Sequence, residues 1–153
     1  MNKRFIAALL VIASFLAGCK KYDEGPLMSF YSVGGRVSGT WYFQNVTYGG
    51  QDSTPSYQYQ RLEFIYIKKI DGGVFTWNHN LMATSADENP LEGGRWSFVA
   101  DRDSFRMVVL KNELKDSVVY QWKINRLAYT EFWMERNIKD TVTLKWSLVK
   151  YAF

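Results

Sequence analysis

The sequence is poor in the residues on which catalysis and covalent bracing most often depend. Its 153 residues include one cysteine, Cys19, and one histidine, His79. A lone cysteine excludes an internal disulfide, so packing has to supply the stability. A lone histidine leaves any Ser-His or Cys-His arrangement resting on His79, and a zinc site would need three carboxylates beside it, far from typical ligand sets. With three prolines and 22% charged residues, the chain is neither disordered nor low in complexity. Its clearest apolar run, Phe5 to Leu16, spans twelve residues with Ser14 the single polar member, short of the roughly 20 that cross a membrane as a helix. Basic residues cluster no further than the pairs Lys20-Lys21 and Lys68-Lys69, which sets nucleic acid aside as a partner. No glycine-rich phosphate loop or nucleophile elbow is present.

The amino terminus carries an address. Lys3 and Arg4 precede the apolar run, whose length suits a secretory core of about 7–15 residues, so residues 1–18 read as a cleavable signal peptide. Leu16-Ala17-Gly18-Cys19 resembles the lipobox of bacterial lipoprotein precursors. That resemblance implies diacylation of the Cys19 thiol, cleavage before it, and a mature chain that begins at Cys19. One acyl chain binds a bilayer marginally, whereas two or more hold it, so Cys19 is the expected lipidation site and the membrane a permanent partner. The expected location is the cell envelope. Lys20 rather than Asp after the cysteine favours the outer membrane, at its periplasmic face or the cell surface. Loss of Lys3 and Arg4 lowers the formal charge from +4 to about +2, so the basic isoelectric point says little about partners.

Residues 19–37 read as a lipidated tether, polar from Lys20 to about Arg36 and punctuated by Gly25-Pro26 and Gly34-Gly35. Residues 38–153 read as one domain. Aromatic residues make up 17% of the chain and favour strands. From Thr40 onward apolar residues recur with period two between turn residues. The pattern predicts eight strands, over 40–48, 57–70, 74–80, 93–100, 104–110, 116–125, 129–136 and 141–151. Asp71-Gly72-Gly73 is expected to turn a hairpin through positive φ at glycine. The longest connection, 81–92, contains Asn89-Pro90. Short links imply antiparallel neighbours, and a meander of eight removes its edges by closing. The expected fold is therefore all-β, an eight-stranded antiparallel up-and-down barrel. A two-sheet sandwich is the competing architecture.

Gly39-Thr40-Trp41 at the start of the first strand resembles the Gly-X-Trp that opens lipocalin barrels, and Gly94-Arg95-Trp96 repeats it. Over about residues 38–151 the chain is similar to the lipocalin-like (calycin) lipoproteins of bacteria. It departs from them in lacking the mid-barrel Thr-Asp-Tyr motif. It also has no arginine after Arg136 to pack over the tryptophan of the motif, and its eighth strand is not followed by the usual helix. The likeness implies a non-enzymatic binding barrel that needs no cofactor or metal.

Candidate catalytic groups are few. Glu131 and Glu135 alternate with Phe132 and Met134 and are expected to face outward. Asp101 with Asp103 falls in a turn, and Asp87 with Glu88 in a loop. The remaining candidates are aromatic: Phe64, Tyr66, Phe75, Trp77, Trp96, Phe98, Tyr120 and Trp122, together with Phe43. Either they fill the barrel, since each large ring buries about 150–250 Å², or they line an apolar cavity for a small hydrophobic ligand. An envelope protein is the alternative partner, reached through loops 49–56 and 81–92.

Overall fold

Apolar residues at every second position of a strand share one face, and that face needs a second surface to cover it. Here the sheet covers itself. The structure, a computed structural model, describes residues 31–82, 91–111 and 116–151. The expected signal peptide, Cys19, most of the expected tether, and the loop with Asp87 and Glu88 lie outside them. The strands are β1 (Gly39–Tyr48), β2 (Gln51–Asp52), β3 (Arg61–Ile67), β4 (Gly72–Asn78), β5 (Leu91–Val99), β6 (Ser104–Lys111), β7 (Asp116–Leu127), β8 (Glu131–Lys139) and β9 (Val142–Val149). β1 and β3 to β9 pair antiparallel in chain order. β9 then returns to β1, from Tyr42 opposite Val149 to Tyr48 opposite Leu144. This closure makes an eight-stranded up-and-down barrel instead of a sandwich. β2 is a stub folded back on the end of β1 through Gly49 and Gly50.

The predicted faces point inward. Leu62, Phe64, Phe75, Trp96, Phe105, Met107, Val109, Trp122, Ile124, Leu144, Trp146 and Leu148 are all buried. Glu63, Thr76, Arg95, Arg106, Gln121 and Lys145 alternate with them and are exposed. An apolar interior with a polar exterior is the reverse of a bilayer-spanning barrel, whose outer band is apolar. Among the described residues no helix is long and apolar enough to cross a membrane.

Two local expectations are corrected. The second strand begins at Arg61 and ends at Ile67, because Thr54–Ser56 and Lys68–Ile70 each form a 3-10 turn. Tyr57 leaves the strand register because its ring is taken by Phe43, 5.0 Å away. The turn before β4 places Asp71, not a glycine, at positive φ (45°). Gly72 and Gly73 serve close approach instead: a Cβ on either would collide with the backbone carbonyl of Trp96 or Ile65.

The barrel has two unlike ends. Helix α1 (Val33–Val37), in a segment whose composition reads as tether, packs across the end where β1 begins, with Gly34 and Val37 buried. Ser32 caps the helix by accepting from Gly35 N. The turns β3–β4, β5–β6 and β7–β8 share this closed end. The opposite end, or mouth, carries residues 49–60 and the ends of β4, β6 and β8.

Candidate functional site at the barrel mouth

The middle of the barrel is solid. Phe105 stacks on Trp96 at 5.0 Å and meets Phe64 and Phe132 edge-on at 5.4 and 5.3 Å. Rings at these separations and angles are in the favoured offset and T-shaped arrangements. Phe64, Phe75 and Trp96 are at most 2% exposed, and Phe98 is 9% exposed. Tyr66 stacks on Trp96 and donates its hydroxyl to Asp71 at 2.9 Å. These five of the eight aromatic candidates belong to the core or the closed end.

The other three, Trp77, Tyr120 and Trp122, lie nearer the mouth. Trp122 and Trp146 lie 4.2 Å apart, with Trp77 5.3 Å from Trp146. Trp77 donates to Gln60 Oε1 at 2.9 Å, which draws residues 57–60 over the opening. Leu81 N donates to Tyr59 O and ties the next loop to the same rim. Tyr57 packs between Phe43 and Trp146. Burial pushes its hydroxyl above the ordinary tyrosine value, offset in part by the Trp146 indole and Arg136. The Trp146 N–H lies beside that hydroxyl but outside hydrogen-bond geometry.

Arg136 is the group that sequence reasoning missed. Phe132, Met134 and Arg136 share the inner face of β8, the corollary of placing Glu131 and Glu135 outside. Its guanidinium sits 4.4 Å from the Tyr120 ring and 5.0 Å from the Trp122 ring. Such cation–π contacts are worth about 0.5–2 kcal/mol, more as water is excluded. No carboxylate faces it among the described residues. Desolvation holds its pKa below the ordinary arginine range, opposed by Tyr120, Tyr57 and Tyr48. Arg136 Nε and Trp122 Nε1 are buried without acceptors. Donors left unpaired away from water are costly, so the mouth is chemically suited to receive an acceptor-bearing group beside an aromatic wall.

The other polar candidates are spread over both ends of the barrel. His79 stacks on Trp77 at 4.4 Å, and its Nε2 lies 3.5 Å from Glu92 Oε2 without a hydrogen bond. No three His, Cys, Asp or Glu side chains converge among the described residues. Glu135 pairs with Lys145 on the outer surface, and Glu131 with Arg126. They serve two separate ion pairs, not one acid–base site. Asp101 and Asp103 lie in the β5–β6 turn.

The closed end holds a second group invisible in the motif. Lys150, after β9, extends its Nζ over Trp41 (5.0 Å) and Tyr129 (4.2 Å). It donates to the carbonyls of Gly35, Arg36 and Ser38 at 3.2, 3.4 and 3.0 Å. Trp41 Nε1 donates to Val37 O at 2.7 Å. A lysine therefore stands where the lipocalin resemblance leads one to look for arginine, binding α1 to the tryptophan of Gly39-Thr40-Trp41. Burial pushes its pKa below the ordinary lysine value. No family model matches the sequence, and a search of curated proteins finds no similar chain.

Proposed function

We propose that this protein is a lipid-anchored, non-enzymatic, lipocalin-like binding barrel of the bacterial cell envelope, and that it takes a small ligand with an apolar body at its mouth. The Cys19 lipobox supports the anchor. The Gly39-Thr40-Trp41 opening, the up-and-down closure and the Lys150–Trp41 seal support the family likeness. The observation that carries the ligand reading is Arg136, half-buried against Tyr120 and Trp122 with no acidic partner among the described residues and with Nε unpaired. The seat is the rim lined by Trp77, Tyr120 and Trp122, because the rings of Phe64, Phe75, Trp96 and Phe98 already occupy the space below it.

The test uses the mature lipoprotein in lipid nanodiscs, labelled with nitrogen-15 and titrated with hexanoate. Saturable shifts of the Trp122 and Trp146 indole N–H signals, with Trp41 and Trp96 unmoved, are the expected result. Unmoved signals at every tryptophan would overturn the ligand reading.

The packed interior favours one other reading, an interaction subunit that binds an envelope protein through residues 49–56 and the neighbouring loop. Solubilised envelope from which this protein is recovered alone, after cross-linking, would count against it.

A further inference from the structure

Large apolar side chains at the closed end are not all turned inward. Ile67 and Ile70, at the 3-10 turn before β4, are 41% and 56% exposed. Lys68 and Lys69 stand exposed between them, with no carboxylate partner among the described residues. Ile65 and Val74 continue the apolar surface on the outer face of β3 and β4. On the other side of the same end, exposed Tyr31 stacks on Tyr129 at 4.0 Å, and Tyr151 is exposed beside Tyr42. Isoleucine, lysine and tyrosine in this combination suit a membrane interface: rings and aliphatic groups enter the headgroup layer while ammonium groups reach lipid phosphate.

The charges of this end agree. Asp71 is engaged by Arg102 and Glu131 by Arg126, and Asp101 and Asp103 on the neighbouring turn are partnered too. Lys150 and Arg36 add further cations. The chain direction agrees as well. Residue 31 lies at the closed end, twelve residues beyond Cys19. Twelve residues span at most about 40 Å when extended and about 20 Å as a flexible coil. A tether that short raises the effective concentration of the bilayer so far that a modest patch is enough for contact.

We infer that the closed end is a lipid-contact face, which rests on an anionic bilayer through Ile67, Lys68, Lys69 and Ile70 with the exposed tyrosines beside them. The inference rests on the anchor at Cys19. It fixes the orientation of the barrel: the mouth with Arg136 points away from the membrane that holds the protein.

The experiment places a nitroxide on Ile70→Cys or Tyr48→Cys in the full-length chain, processed in cells and reconstituted in phosphatidylglycerol-containing vesicles. Acylation occupies Cys19, so only the introduced thiol is labelled. The expected result is a several-fold rise in the ratio of oxygen to nickel-complex accessibility at position 70 and none at position 48. Adding Lys68→Glu and Lys69→Glu should return position 70 to aqueous values while the protein stays in the membrane fraction. A membrane-held protein with an aqueous label at position 70 would overturn the lipid-contact face and leave the anchor standing. A protein absent from the membrane fraction would overturn the anchor, and the face with it. Equal protection on phosphatidylcholine alone would overturn the requirement for anionic lipid. Protection in native envelopes but not on pure lipid would overturn the inference in favour of a protein occupant.

Discussion

The two ends of this barrel treat a buried cation in opposite ways. At the closed end Lys150 donates to three backbone carbonyls and covers the rings of Trp41 and Tyr129. At the mouth Arg136 covers Tyr120 and Trp122, but its Nε has no acceptor. A charge taken from water is tolerated when its donors are satisfied and costs stability when they are not. The first cation is therefore a structural clamp, while the second keeps an unpaired donor at the mouth.

The sharpest way to break this comparison is at the clamp. Trp41 is fully buried, and Trp41→Ala should cost about 3–5 kcal/mol in urea unfolding, the usual range for deleting a large core ring. A loss under about 1 kcal/mol would mean that the closed end does not hold the barrel together. Lys150→Met keeps the aliphatic stem and removes the donors. It should cost about 1.5–3 kcal/mol, the range for hydrogen bonds to a charged group. Lys150→Arg should recover most of that loss, since a guanidinium can reach several carbonyls at once.

Arg136→Met should behave in the opposite sense. Replacing a poorly satisfied charge with a side chain of similar volume is neutral or stabilising, so the urea midpoint should hold or rise, with hexanoate binding weakened. A destabilisation as large as that of Lys150→Met would erase the distinction between the ends.

The smallest effect is expected at Asp71. Arg102 first, then Tyr66, hold its carboxyl below the ordinary carboxylate value. A depressed folded pKa stabilises the native state above the unfolded value, and the contribution disappears as pH falls through the folded one. Because both ion-pair partners are about two-fifths exposed, Asp71→Asn should cost under about 1 kcal/mol near neutral pH. The difference from wild type should begin to shrink as pH falls below about 4, near the unperturbed carboxylate pKa, and vanish only below the lowered folded value. Unfolding curves across that range provide the check.

Much of the fold was legible in period two. The inward faces of β3 to β9 follow from alternation alone, because a strand buried on one side has no other way to sort its residues. Lys68 to Ile70 and the start of β3 were not legible. Tyr57 and Ile70 continue the apolar pattern, and only contacts made elsewhere remove them from the ladder. At the site, Arg136 could have been found by extending the Phe132, Met134 alternation one step. A charge on an apolar face reads as the end of a strand unless the aromatic rings around it are known. Lys150 was beyond reach, since its acceptors lie 112 to 115 residues away in the chain.

By itself the sequence determined the meander, the identity of the core and the expectation of a lipid on Cys19, because each is written in local composition or period. Only the tertiary structure decided that the barrel is filled, that one end is clamped, and that no carboxylate among the described residues faces Arg136. Those outcomes depend on which rings and charges meet across the closed sheet, and the distances between them are set by closure and by no neighbouring residues in the chain.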